Sequence, residues 1–169
     1  MRCWNWCCGS AWGDGGQRGA AAHRKPVAPL IIVGLALIGL AVAFTESYAI
    51  YAGQPLWCPP LVDGCNTVAA SPYARIFGLP IGYYGLVYYG GMLGLAVLLA
   101  FDPRSPALRA AAVLYAATGL AFSLYFMVLQ IGTIRAFCIY CAVSGLTTLL
   151  LVISTGAHWS STRRQAIEA

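Results

Sequence analysis

Charge is what this sequence has least of. Asp, Glu, Lys and Arg together make up 9% of its 169 residues, against 60% hydrophobic ones. A soluble domain of this length leaves much of its area in water and needs far more polar residues to cover it. A bilayer makes no such demand, so the chain reads as an integral membrane protein. No cleavable leader is expected either. About 28 polar, Gly-rich residues precede the first apolar run, which is itself too long for the hydrophobic core of a signal. The count of seven cysteines is odd, so at least one has no partner within the chain.

What the sequence does have is long apolar runs. Four stretches suffice to span: about Pro29 to Tyr51, Leu79 to Phe101, Leu108 to Ile131 and Ala136 to Thr155. Each holds roughly 20 residues or more, which at about 1.5 Å per residue crosses a hydrocarbon core of about 30 Å. They are apolar on all faces, which fits helices rather than the short alternating strands of a barrel. The expected fold is an all-α, four-transmembrane-helix bundle. Residues 1–28 are expected to form a disordered N-terminal segment, residues 29–155 the membrane domain and residues 156–169 a tail. A long loop, residues 52–78, joins the first two helices. The other connections are short.

The net charge of +5 orients the bundle, and no nucleic-acid partner is expected. With both termini in the cytoplasm, Arg2, Arg18, Arg24, Lys25, Arg104, Arg109, Arg163 and Arg164 lie inside, and only Arg75 and Arg135 lie outside. Eight against two is the positive-inside asymmetry of a multi-pass cell-membrane protein. The long loop and the start of helix four then face the oxidising side. Cys3, Cys7 and Cys8 remain on the reducing side as incidental thiols, or as sites of acylation or metal binding.

Four cysteines face outward. In FCIYC, residues 137–141, Cys138 and Cys141 stand at i and i+3 on one helix face. They fall in the first turns, where unsatisfied N–H groups and the helix dipole favour negative charge. Cys58 and Cys65 lie in the long loop, separated by PPLVDG, whose prolines and Asp-Gly fold the chain back. The pairs suit thiol–disulfide exchange. The competing readings are a static loop disulfide beside two packed thiols, and a zinc site, which the six-residue spacing disfavours.

Ser71 and Pro72 read as the cap and first position of a short surface helix that stops at Gly78. The Ser71 hydroxyl either caps that helix or reaches a ligand carbonyl. Tyr83, Tyr84, Tyr88 and Tyr89 on span two, Phe122, Tyr125 and Phe126 on span three, and Phe137 and Tyr140 beside the thiols form either an interfacial belt or a flat pocket for a ring. Gly90, Gly91 and Gly94 offer a small-residue face for close helix packing. Glu46, the only carboxylate within a span, is a candidate proton relay.

The loop pair, the serine six residues after its second cysteine, FGLPIG leading into helix two and CxxC opening the last helix together resemble the vitamin K epoxide reductase family over roughly residues 30–155. The resemblance implies that Cys138 and Cys141 are the active-site pair, with Cys141 meeting a quinone ring, and that Cys58 and Cys65 are a shuttle pair. Ser71, Tyr83, Phe122, Phe126 and Phe137 become the candidate quinone contacts. It implies a membrane quinone (menaquinone, ubiquinone or a vitamin K type) as electron acceptor. It also implies a thioredoxin-fold thiol oxidase on the extracytoplasmic side as donor, expected here as a separate protein. An asparagine near Ile81 and a tyrosine at Gly145, both features of the mammalian enzymes, are absent, which favours a plain quinone over its epoxide. The rival from another class is a non-catalytic membrane scaffold with a structural loop disulfide. No metal is expected at the site.

Overall fold

The structure is a computed structural model that describes residues 27–59, 64–103 and 105–167. The N-terminal segment with Cys3, Cys7 and Cys8, residues 60–63 of the PPLVDG stretch, and Arg104 lie outside the described residues. Five helices account for most of the chain: α1 (Val27–Tyr51), the short α2 (Cys65–Ala70), α3 (Ile81–Phe101), α4 (Pro106–Leu129) and α5 (Ile139–Ile167). Four of them are long and apolar enough to cross a bilayer, so the expected four-helix membrane bundle is the fold. The last helix runs well past Thr155, where the apolar run ends, because nothing between His158 and Ile167 breaks a helix.

Sequence explains the packing. Along α1 the inward positions are Ile32, Ala36 and Ala43, and along α3 they are Tyr89, Met92, Ala96 and Leu99. Both sets recur at three, four or seven residues, which keeps them on one helix face. Leu30, Ile31, Leu37 and Ile38 point outward, as do Val97 and Leu98. Lipid is as apolar as leucine and gives helices no hydrophobic drive to associate, so close fit must hold them. Alanines supply it at Ala36, Ala96, Ala112 and Ala116. Helix α1 packs on α3 and α5, and α4 packs on α5 and α3.

The expected glycine face forms only at Gly91, which lies against the Tyr115 hydroxyl. Gly90 and Gly94 meet no other atom, because Tyr89 and Met92 turn that side of α3 outward. The other close approaches occur elsewhere: Gly82 backs onto Ser47, and Gly39 and Gly119 receive the rings of Tyr89 and Tyr88. Several hydroxyls inside the bundle are satisfied locally. Ser47 donates to the Ala43 carbonyl at 2.7 Å, and Thr147 and Thr155 donate to carbonyls four residues back at 2.8 Å.

The loop between α1 and α3 departs most from expectation. A short helix is present, but it is α2, which precedes Ser71 rather than following it. Ser71 is extended (φ −68°, ψ 150°), as a residue before proline tends to be. Pro72–Ala74 makes only a single 3-10 turn, because Arg75 is already extended. Two short strands follow, β1 (Arg75–Ile76) and β2 (Leu79–Pro80), paired antiparallel with Ile76 opposite Leu79. Phe77 and Gly78 make the turn with φ of 50° and 82°. Positive φ at both central residues suits the right-handed twist of the strands.

Candidate functional site

The loop is tied to the head of α5 by its own side chains. Asn66 accepts the Leu56 N–H at 2.8 Å and donates to the Leu56 carbonyl at 3.1 Å, closing α2 against the extended segment before it. The Tyr140 hydroxyl donates to the Trp57 carbonyl at 3.1 Å. Gly64 lies against the Phe137 backbone so closely that a Cβ there would collide with it. These ties seat Cys58 and Cys65, which are joined in a disulfide, above FCIYC.

A break between helices positions the second pair. After α4 the chain widens into one π turn, Gln130–Ile134, and then reverses at Arg135 in the left-handed conformation (φ 54°). The Gln130 carbonyl accepts the N–H groups of both Arg135 and Ala136. Widened turns of this kind recur at functional sites. Cys138 therefore precedes α5 instead of lying inside it, and Cys141 sits in the first turn. Both are free thiols close enough to interact with each other. Cys65 and Cys138 are fully buried and share one cluster with Leu56 and Val68, against which Cys58 and Cys141 also pack. Two pairs distant in sequence thus meet in one place. Cys58 stays partly exposed.

Cys141 also faces the other way, into a cavity of about 300 Å³ enclosed by α1, α3, α4 and α5. Five aromatic side chains stand on its walls: Tyr84, Tyr88, Tyr89, Phe122 and Phe126. The rings are fixed by contacts. Phe122 and Phe126 pack at 4.9 Å between centroids, and Tyr88 stacks on Tyr115 at 5.1 Å. The Tyr89 hydroxyl donates to the Ser144 carbonyl at 3.1 Å and shares a 2.8 Å hydrogen bond with the Ser144 hydroxyl. Glu46, 8% exposed, lines the same cavity.

The expected contacts divide. Phe122 and Phe126 line the cavity, whereas Ser71, Tyr83 and Phe137 do not. The Ser71 hydroxyl is turned back to the Val68 carbonyl at 2.7 Å, and it caps no N–H of the Pro72–Ala74 turn. Tyr83 points outward, because its neighbours Gly82 and Tyr84 take the inner face of α3. Phe137 gives its backbone to Gly64 and leaves its ring half exposed. Sequence reasoning missed Gln130. The available signal was an amide at the end of an apolar run, eight residues before the first thiol. Among the described residues no cluster of side chains could hold a metal ion.

A buried dithiol and an adjacent disulfide in a four-helix bundle define a membrane oxidoreductase. The model of the vitamin K epoxide reductase family matches residues 30–155, and the chain belongs to that family.

Proposed function

We propose that the protein carries electrons from a reduced thioredoxin-fold partner, through Cys58 and Cys65, to Cys138 and Cys141 and on to a membrane quinone, so that disulfide formation outside the cell membrane can continue. The observation that carries this reading is the shared cluster of the two cysteine pairs, with Cys141 on the cavity wall. Both termini lie in the cytoplasm, an orientation that the eight-to-two division of basic residues supports.

The exposures of the thiols order the steps. A partner thiolate attacks the Sγ of Cys58, the more accessible sulfur of the loop disulfide, and releases Cys65 as a thiolate. The partner's second thiol then resolves the mixed disulfide and leaves as an oxidised pair, with Cys58 reduced. Cys65, buried beside Cys138, attacks the Cys138–Cys141 disulfide at Cys138 and frees Cys141. Cys58 closes on Cys65 again, and the CxxC pair is a dithiol. The structure holds the sulfurs in this last arrangement, loop pair bonded and CxxC pair free.

The cavity fits a flat ring. Its volume is at the lower bound of small-molecule sites, about 300 Å³, and Phe122 and Phe126 offer apolar faces. Ser123 places a hydroxyl on its wall for a carbonyl, whereas Thr118 and Thr148 donate theirs to the Tyr115 and Gly145 carbonyls. When bound there, a quinone supplies an acceptor for two electrons and two protons. Cys138 and Cys141 give up those electrons as they close to a disulfide, and the dithiol supplies the protons. Glu46, on the same wall, is placed to relay them.

The test is anaerobic. Purified protein, a reduced dithiol protein and a quinone should yield one quinol for each partner disulfide formed. A folded protein that forms no quinol would leave only the scaffold reading.

A further inference from the structure

Gln130 is 0% exposed and does two jobs with its carbonyl groups. The backbone oxygen ends the π turn, and the side-chain Oε1 accepts the N–H of Cys138 at 3.0 Å. That second bond pairs a donor that the start of α5 would otherwise leave unmade. An oxygen alone would do this. The amide nitrogen is a different matter: Nε2 is buried and has no hydrogen-bond partner among the described residues. The Gln130 side chain does interact with the Cys141 thiol, short of a well-formed hydrogen bond. Buried N–H groups without partners are rare, and each is a penalty unless some state of the protein satisfies it.

We propose that Gln130 is a positioning residue for the dithiol, its oxygen seating Cys138 and its amide N–H₂ held for the Cys141 sulfur when that sulfur carries charge. A neutral thiol is a weak acceptor and leaves the donor unsatisfied, whereas a thiolate accepts a charge-assisted bond. The penalty on Nε2 is therefore lifted only in the reactive state. The other groups facing this sulfur are Cys138 in the same turn, Glu46 on α1, which acts on both thiols, and Tyr84, Tyr88 and Tyr89 on α3 around the cavity. None of these is a cation, so besides the head of α5 itself the Gln130 amide is the side-chain group placed to favour negative charge.

The inference rests on the proposed dithiol chemistry, but its test uses neither quinone nor partner. The full chain is reduced and alkylated with a small neutral iodoacetamide from about pH 6 to about pH 10, and modification of Cys141 is read by peptide mass spectrometry. Gln130→Met removes both roles. Gln130→Glu keeps an oxygen for the Cys138 N–H but, when ionised, offers no donor. Both variants should alkylate Cys141 about tenfold more slowly near pH 7, with the profile moved upward by about one pH unit. A wild-type profile in Gln130→Met, with melting curve and elution intact, would overturn the proposal and reduce Gln130 to a backbone cap. If Gln130→Met does not fold, the same comparison on Gln130→Glu decides. Gln130-dependent alkylation in a protein that never reduces a quinone would keep this inference and sink the proposed function.

Discussion

Cys58 and Cys65 meet across an extended segment and the start of a six-residue helix, whereas Cys138 and Cys141 share one turn at the head of a 29-residue one. The loop pair is held by side chains: Asn66 on Leu56, Tyr140 on Trp57, and Gly64 against Phe137. The CxxC pair is held by the backbone at the head of α5 together with one side chain, Gln130, on the Cys138 N–H. Removing any one of several ties can therefore shift the loop pair, while the CxxC pair changes only with α5 or with Gln130. A relay needs both kinds of mounting, one sulfur pair that can exchange partners and one whose distance to the cavity stays fixed.

The largest expected effect comes from cutting the series between the pairs. Cys141→Ala leaves Cys138 a lone thiol, which can attack the loop disulfide at Cys65 and release Cys58 but has no Cys141 to take the exchange further. Quinol formation should stop, and a Cys65–Cys138 mixed disulfide should accumulate, visible as a cross-linked peptide pair by mass spectrometry. Continued turnover with quinone in this variant would mean that the pairs do not act in series.

A smaller loss is expected from unseating the loop. Gly64→Ala places a Cβ against the Phe137 backbone, which cannot swing aside as a side chain end would. A strain of about 1–3 kcal/mol is expected, and it should fall on the contact between pairs rather than on either pair alone. Combined with Cys141→Ala, it should slow the appearance of the mixed disulfide roughly tenfold. An unchanged rate would show that the loop reaches Cys138 by another approach.

The smallest effect belongs to Asn66→Ala. Two hydrogen bonds to Leu56 are lost, but Asn66 is exposed and water can take its place, so about 1 kcal/mol is expected. Reduction of the loop disulfide by dithiothreitol should quicken a few-fold while the CxxC pair reacts as before. Equal acceleration of both pairs would erase the distinction between the two mountings.

Much of this was legible in the sequence for a plain physical reason. Spans must be long and apolar to satisfy their backbone in lipid, and α1, α3, α4 and α5 announce themselves in that way. The cysteine pairs were equally plain, since spacing is a property of the chain. The lid over the site was not. Ser71-Pro72 carries the signature of a helix start, yet Phe77 takes a left-handed conformation that large side chains seldom adopt, and a hairpin forms where a helix was expected. The cavity wall was only half legible, with Phe122 and Phe126 on it and Ser71, Tyr83 and Phe137 off it. Rotation of a helix that is apolar all round leaves no stripe to read. Gln130 was hidden for the opposite reason, because its meaning depends on a break in the helix that no local propensity specifies.

Gly39 and Tyr89 have a bearing on how this chain can vary. The Tyr89 ring occupies the space where a Cβ at position 39 would stand, and its hydroxyl is bonded to Ser144 on α5. Any larger residue at 39 must push the ring out, and with it the link between α3 and α5. Any smaller residue at 89 opens a hole beside the cavity. The two positions, fifty residues apart, thus form one heritable unit: a single substitution at either is a lesion, and only a matched exchange of volume at both passes without one.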